Sequence, residues 1–286
     1  MRKYIYPILV LAVAALFVWW NGRLDDQEMN GNLEKDVVTG TDDATSDDGD
    51  GSDDTGVFTL SRKRILPAST GEIVHHKTYS LSYQEAYEQS EWVAYILEES
   101  DLKKVKYKRP YFIQDPYVST QSAQYWNWKN SGYDRGHLVP AGDRKASKAE
   151  YDETFFTSNI SPQESAFNQG IWNTLENKVR YWAGRYDRVA VVTGPILSRG
   201  TRTIGDERVS VSDSFYKIVL RQDGEDYYAI AFLIPHERST ESLYNYIVSI
   251  DELEKKTGID FFPQLNDSLE DRLESNRSDK GWARLR

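Results

Sequence analysis

Two short segments of this 286-residue chain carry side chains that could do chemistry together. The first runs from Asp134 to His137 and offers a carboxylate, a guanidinium and an imidazole within four residues. The second runs from Asn168 to Glu176 and supplies amide and carboxylate oxygens. Imidazole is the natural general base near neutral pH, and oxygen ligands suit a hard divalent cation. Together the segments predict a metal-assisted hydrolytic site.

The first segment places its charged and basic side chains in an order that suits binding of a phosphate group. In a strand, Arg135 and His137 would lie on one face, because successive side chains alternate. The planar guanidinium of Arg135 matches phosphate oxygens, and Gly136 would permit close approach of a substrate or an unusual backbone angle. Alone, this short motif is weak evidence, because a lone histidine is more often structural.

The second segment has helical spacing that places Asn168 and Glu176 on one stripe, together with Trp172 and Leu175. At a rise of ~1.5 Å per residue, Asn168 and Glu176 would lie about 12 Å apart along a regular helix. We therefore expect Asn168 to coordinate the ion and Glu176 to hold the waters of that ion, since magnesium keeps several waters. The alternative is that Asn168 caps the helix and Glu176 is a solvated charge.

Composition narrows the class of protein. The chain has no cysteine, which excludes disulfides, thiolate zinc sites and a cysteine nucleophile. Of the net charge of −10, residues 24–56 contribute −11 and residues 1–23 contribute +3, which leaves −2 for residues 57–286. The acidity therefore belongs to a tail, and the remainder is compatible with binding of a polyanion.

The N-terminal residues 1–23 contain an uncharged run at residues 4–20, preceded by Arg2 and Lys3. This length and these flanks predict a signal anchor in the membrane with the N-terminus in the cytoplasm. The alternative is a signal peptide cleaved after Ala14, which would release the chain. Both alternatives predict export, to a periplasmic or extracellular location. Residues 24–60 follow as a disordered acidic linker.

Residues 61–286 read as one folded domain of the α+β class, with a mixed or antiparallel sheet packed with helices. Strand-like and helix-like runs follow each other without the regular alternation of nucleotide-binding folds. Strands are predicted at 73–83, 92–97, 154–160, 189–193, 209–220 and 227–234, with a hairpin turn at Asp223-Gly224. Helices are predicted at 165–186, 241–256 and 267–277.

The combination of motifs resembles the DNA/RNA non-specific endonuclease family, the ββα-metal nucleases. The similarity covers roughly residues 72–265 and rests on three segments in family order, which are 134–137, 158–163 and 168–176. It implies a ββα-metal fold for residues 61–286. It also implies magnesium-dependent hydrolysis of phosphodiester bonds in DNA and RNA, with manganese as an alternative ion.

The resemblance assigns roles to individual positions. His137 is similar to the general base of the family, Asn168 to the magnesium ligand and Glu176 to the residue that orders the water shell of the ion. Arg135 is similar to a phosphate-binding arginine, and Arg109 to a second arginine that stabilises the phosphate under attack.

Asn159 resembles a supporting residue of the family at the substrate-binding site. The remaining histidines have no role in the family and are interpreted as structural or surface residues: His75, His76 and His236. The basic residues 103–109 are candidates for attraction of the nucleic-acid backbone. Trp126 and Trp128 are candidates for base stacking, with burial in the core as the alternative.

Two other functions stay open from the sequence. One is an exported phosphodiesterase that acts on a different substrate, such as a lipid or a nucleotide. The other is a non-catalytic nucleic-acid-binding module, which would have little reason to combine His137, Asn168 and Glu176. A homo-oligomer is compatible with the sequence.

Overall fold

The structure, a computed structural model, describes residues 60–284. The strands of this part are β1 Glu72–His75, β2 Tyr79–Gln84, β3 Gln89–Glu98, β4 Asp134–His137, β5 Ile160–Gln163, β6 Arg188–Pro195, β7 Thr203–Ile204, β8 Val209–Ser210, β9 Ser214–Asp223, β10 Asp226–Pro235 and β11 Ile247–Val248. Seven of them form one antiparallel sheet in the order β1-β2-β3-β6-β9-β10-β11. The pairs β4-β5 and β7-β8 form two small antiparallel sheets.

Helices cover both faces of the large sheet. They are α1 Lys148–Glu153, α2 Ser165–Phe167, a π-helical turn Asn168–Trp172, α3 Asn173–Tyr186, α4 Ile250–Thr257 and α5 Asp267–Glu274. Within β3, Val93 and Tyr95 pack on the side of α3, whereas Trp92 and Ala94 pack on the side of α4 and α5. This period of two follows from the alternation of side chains along a strand. The predicted α+β class is thereby confirmed.

Large apolar side chains fix α3 on the sheet. Trp172, Leu175 and Trp182 are fully buried, and Trp172 contacts Phe215 of β9 with ring centroids 5.7 Å apart. Burial of each such side chain stabilises the fold by roughly 1.5–3 kcal/mol. The helix that carries Glu176 is therefore held rigidly against the sheet.

Three of the predicted strands are wrong in their extent. The run at 73–83 forms two strands, because the amide of His76 donates to the carbonyl of Tyr79 at 2.9 Å and closes a tight turn. At 154–160, residues Thr157–Asn159 form a 3₁₀ turn, and β5 begins only at Ile160. The predicted strand at 209–220 is likewise split into β8 and β9.

The single helix predicted at 241–256 is also wrong. A 3₁₀ turn at Leu243–Tyr246 leads into β11, in which Ile247 and Val248 pair with Phe232 and Ala231 of β10. The helix α4 starts only after Ser249, whose hydroxyl accepts from the amide of Glu252. Pairing with the sheet edge therefore outweighs the helical spacing of this segment.

The predicted helices at 165–186 and 267–277 are present, as is the hairpin at Asp223-Gly224. Within residues 60–284, no helix is long and apolar enough to span a bilayer. The expected anchor at 1–23 and nearly all of the expected linker at 24–60 lie outside the described residues.

Candidate active site

The two predicted segments meet around the small sheet β4-β5. His137 pairs with Ile160 and Arg135 with Pro162, and the helical segment that contains Asn168 follows β5 after one residue. The order is therefore strand, strand, helix. Gly136 is buried against the side chain of Gln163, where a Cβ atom would collide, and its φ lies outside the left-handed region. The expectation that Gly136 serves substrate approach or an unusual backbone angle is wrong; it serves packing.

The imidazole of His137 lies among aromatic rings, with ring centroids 5.0 Å from Phe155 and 5.7 Å from Phe112. Its Nε2 is buried and has no hydrogen-bond partner within the described part of the chain. Burial, and after it the positive charge of Arg109, lowers the pKa of His137 to about 3. The ring is therefore neutral at pH 7 and can accept a proton.

Two arginines lie beside this histidine. The guanidinium carbons of Arg109 and Arg135 are 5.2 and 5.4 Å from the ring centre of Phe112. Arg109 is exposed, and Arg135 donates to the carbonyl of Tyr125 at 3.3 Å. Burial and the neighbouring Arg109 lower the pKa of Arg135, which remains charged at neutral pH. The pair forms a positive patch suited to a phosphate.

Asn168 is tied to the first segment through Asp134. The Nδ2 of Asn168 donates to Oδ2 of Asp134 at 3.1 Å, and Ser165 donates to Oδ1 at 2.7 Å. Burial raises the pKa of Asp134, but hydrogen bonds from Ser165, Asn168 and Gln169 outweigh it and the net pKa is lowered. Asp134 is therefore an anion whose carboxylate accepts a hydrogen bond from the amide nitrogen of Asn168. The amide oxygen of Asn168 consequently points away from Asp134.

The helix around Asn168 is irregular. Gly170 has non-helical angles, with φ −97° and ψ −113°, inside the π-helical turn. Such turns are frequent at functional sites. Because of this turn, the axial separation expected for a regular helix does not apply between Asn168 and Glu176. The alternative that Asn168 caps the helix is wrong, since its side chain bonds to Asp134.

Glu176 is one turn into α3, with a side chain only 13% exposed, so that it is not a solvated charge. Its Oε2 lies 3.9 Å from Nη2 of Arg180, which itself donates to Asp143 at 2.6 Å. Tyr95 also donates to Asp143, at 3.0 Å. Burial raises the pKa of Glu176. An ion pair with Arg180, followed by the hydrogen bonds of Asp143, thus ties Glu176 to the large sheet.

A buried lysine completes the electrostatics behind Glu176. Lys217 of β9 is fully buried, donates to Oγ1 of Thr193 at 3.0 Å and lies 4.7 Å from the ring centre of Trp172. Burial lowers the pKa of Lys217, while the nearby Glu176 raises it. The positive charge favours the ionised carboxylate of Glu176.

The side chains of the two segments that could hold a metal offer oxygens, from the amide of Asn168 and from the carboxylates of Asp134 and Glu176. Such a set fits a hard divalent cation and does not suit soft metals. Among residues 60–284, a cluster of three carboxylates occurs elsewhere, at Asp251, Glu254 and Glu274 on the opposite face of the sheet.

Comparison of this chain with known proteins shows the family to which it belongs. The DNA/RNA non-specific endonuclease family matches residues 60–268. The chain belongs to this family. The resemblance found in the sequence is thereby confirmed.

Relatives in the family include the mitochondrial nuclease EXOG of Danio rerio, 34% identical over 70% of this chain and 63% of the relative. The human EXOG nuclease is 33% identical over 70% of this chain and 60% of the relative. Nuclease C1 of Cunninghamella echinulata var. echinulata is 32% identical over 70% of this chain and 86% of the relative. The chain thus spans about three fifths of the length of the EXOG nucleases.

A solved structure of EndoG in complex with EndoGI is also similar. It is 29% identical, has a TM-score of 0.67, and covers 73% of this chain and 94% of that chain. The fold of the described residues is therefore similar to that of a solved nuclease structure.

Asn159 lies in this endonuclease fold where it supports the site without facing it. It is fully buried, its Oδ1 accepts from the amide of Val139 at 2.8 Å, and its Nδ2 donates to the carbonyls of Val139 and Thr154. The resemblance implied a contact between Asn159 and substrate, but a fully buried side chain is not placed to make one. Asn159 instead fixes the chain that follows His137.

A second buried network supports the segment after Arg109. Asp115 is fully buried, lies 2.9 Å from Nε2 of His76 and accepts from the hydroxyl of Ser158 at 2.5 Å. His76 is thus structural, as expected. His236 is mostly buried and accepts from the amide of Glu164 at 2.6 Å, whereas His75 is exposed.

No individual role was predicted for four residues that the structure places at the site: Phe112, Phe155, Asp134 and Lys217. Asp134 could have been found, because it lies beside Arg135 in the segment 134–137, and Phe112 lies only three residues after Arg109. Lys217 carried no local signal. It reaches the site because β9 lies next to β6 in the sheet.

Proposed function

We propose that this chain is a magnesium-dependent endonuclease that cleaves phosphodiester bonds in both DNA and RNA, with His137 as the general base. The observation that carries the proposal is the buried, unpartnered Nε2 of a neutral imidazole beside Arg109 and Arg135. Family membership supports the reaction type. The chain spans only part of the length of several relatives, so its substrates are inferred from the site itself.

His137 accepts a proton from the attacking water. Its low pKa keeps the ring neutral, and the rings of Phe112 and Phe155 fix its orientation. Arg109 and Arg135 bind the phosphate oxygens and stabilise the negative charge that grows during attack. Loss of one such donor typically lowers kcat by a factor of roughly 10² to 10³.

Asn168 and Glu176 are the residues that we propose for the metal, with Asn168 as a direct ligand and Glu176 acting through water. Asp134 and Lys217 support them, through the hydrogen bond to Asn168 and the charge beside Glu176. A bound magnesium ion, or manganese in its place, supplies Lewis-acid stabilisation of the phosphate. The oxygen-only donor set supports this choice.

Low sequence preference is expected from the surroundings of the site. The segment at 103–109 exposes four lysines and Arg109, which suits contact with the phosphate backbone. Contacts with phosphate and sugar position a nucleic acid without reading its bases. We therefore propose that DNA and RNA are both substrates.

The decisive experiment measures cleavage of plasmid DNA and of a long RNA by the purified chain, with magnesium or with EDTA. His137→Ala should abolish cleavage of both substrates, whereas His75→Ala, which changes an exposed histidine, should leave it unchanged. Tight binding without cleavage under any divalent metal would instead support a non-catalytic module. Cleavage of a small phosphodiester but not of long DNA would support a different phosphodiesterase.

The location of the chain is a separate proposal, which rests on the sequence of residues 1–23 alone. We propose export, with residues 61–286 as the nuclease domain outside the cytoplasm, joined by the linker 24–60 to an anchor or released by cleavage. Fractionation of cells that produce the full chain, followed by protease treatment of intact cells, tests it. Protection of the nuclease domain in the cytoplasm would overturn it.

A further inference from the structure

Three carboxylates converge between α4 and α5, on the sheet face opposite to α3. Asp251 and Glu254 lie one turn apart on α4, and Glu274 is the last residue of α5. One oxygen from each lies within 4.8 Å of the other two. The proposed nuclease mechanism uses none of these groups.

Glu274 is the unusual member of this cluster, which we call the α4-α5 carboxylate cluster. The residue is only 7% exposed, and its Oε1 is buried without a hydrogen-bond partner in the described part of the chain. A buried carboxylate oxygen without a partner is costly, because it has lost its hydration. Its neighbour Leu273 is buried in the apolar layer beneath, which holds the end of α5 in place.

Nearby positive charges do not neutralise the cluster. Arg277 lies 3.4 Å from Glu252, outside the cluster, and within residues 60–284 none of the three cluster carboxylates forms an ion pair. Glu254 accepts one hydrogen bond, from the amide of Phe261 at 3.0 Å. Burial, and after it the charges of Glu254 and Glu270, raises the pKa of Glu274 to about 8. The arrangement therefore lacks positive charge.

The chemistry of the three groups suits a particular cation. Calcium binds oxygen ligands at about 2.3–2.6 Å in flexible geometry, whereas magnesium, with ligands at about 2.0–2.1 Å, demands a near-ideal octahedron. Three carboxylates from two helices form an irregular set of oxygen ligands, which calcium accepts more readily than magnesium does.

We propose that Asp251, Glu254 and Glu274 bind one calcium ion, which joins α4 to α5 and stabilises the fold. The site is distinct from the proposed catalytic centre, because α4 and α5 lie across the sheet from α3. Its occupancy changes the unfolding temperature without a direct contact to the residues that cleave substrate. The proposal does not depend on the nuclease mechanism.

The test is a calcium titration of the full chain followed by thermal unfolding at pH 7, in 0.1 M salt and with Asn168→Ala to remove the proposed catalytic ligand. The unfolding temperature should rise with calcium and saturate. Glu274→Gln should weaken the apparent affinity at least tenfold, and Asp251→Asn should do the same. The matched control is Glu270→Gln, one turn earlier on α5, which should respond as the parent does.

Every other outcome counts against the site. An equal calcium response in the parent and in Glu274→Gln would overturn the proposal. Equal loss in Glu270→Gln would show diffuse screening of acidic charge in place of a site. No calcium response, together with an unfolding temperature that falls between pH 6 and pH 9, would show that a proton neutralises Glu274. Because Glu274→Gln removes buried charge, its unfolding temperature without calcium should be no lower than that of the parent, which shows that it folds.

Discussion

The side-chain amide of Asn168 donates a hydrogen bond to Oδ2 of Asp134 at 3.1 Å. This contact joins two motifs that are 34 residues apart in the chain. It fixes the orientation of the Asn168 amide and leaves the amide oxygen available for the coordination that we propose. Residues that orient metal ligands in this way commonly change metal affinity by about 10- to 100-fold.

Replacement of Asp134 by alanine should therefore weaken the apparent affinity for magnesium while lowering the unfolding temperature only slightly. We expect the magnesium concentration for half-maximal cleavage to rise about 10- to 100-fold. The measurement is a magnesium titration of DNA cleavage, beside thermal unfolding. Gln169→Ala is the control, because Gln169 donates to the same oxygen at 3.3 Å but is exposed. An unchanged magnesium dependence in Asp134→Ala would contradict the orienting role.

Phe112 should matter for catalysis although it carries no reactive group. Its ring lies beside His137, Arg109 and Arg135, so that Phe112→Ala frees all three. Small misplacements of catalytic groups cost roughly 10²-fold in rate, and we expect kcat for DNA cleavage to fall by about that factor. Tyr111→Ala, at a neighbouring ring that is 91% exposed, should have little effect. A loss of stability without a loss of kcat in the folded fraction would contradict this prediction.

The dependence of cleavage on pH should not show a step at the ordinary pKa of a histidine side chain. Because the pKa of His137 is lowered to about 3, its neutral form persists as the pH falls through 6.5. The raised pKa of Glu176 acts in the opposite sense, since this carboxylate gains its proton at higher pH than an exposed glutamate. A decline in kcat/KM on the acid side of neutrality should therefore disappear in Glu176→Gln.

A pH profile of kcat/KM from pH 4 to 8, at fixed magnesium, tests this assignment. Glu176→Gln has a lower rate throughout, so the shape of the profile is the readout. A step centred near pH 6.5 that persists in Glu176→Gln would show that His137 has an ordinary pKa.

The two tryptophans of the polar loop should behave differently. Trp126 is 50% exposed, whereas Trp128 is 3% exposed. A base that stacks on an aromatic side chain contributes about 1–3 kcal/mol, so Trp126→Ala should weaken binding of single-stranded DNA by roughly 5- to 150-fold. Trp128→Ala should lower the free energy of unfolding by about 3–5 kcal/mol. Equal DNA affinity of Trp126→Ala and the parent, measured with His137→Ala to prevent cleavage, would exclude stacking.

Much of the candidate site could be predicted because its residues lie in short, contiguous motifs. His137 and Arg135 share β4, and Asn168 and Glu176 share one helical segment, so local spacing already grouped them. The pattern of apolar residues likewise predicted most strands and the helix at 165–186. Local spacing failed where a distant partner decided the outcome. The pairing of Ile247 and Val248 with β10 is one case, and the buried, fully hydrogen-bonded amide of Asn159 is another.

The sequence by itself determined the residue types that can do chemistry, the family resemblance and the α+β class, because each depends on composition or on short periodic patterns. Only the tertiary structure decided which groups surround them. Lys217 stands behind Glu176 because β9 neighbours β6, and Phe112 meets both arginines because the loop that carries it folds back onto β4. Such contacts depend on three-dimensional packing between residues far apart in the chain, which local spacing in the sequence cannot predict.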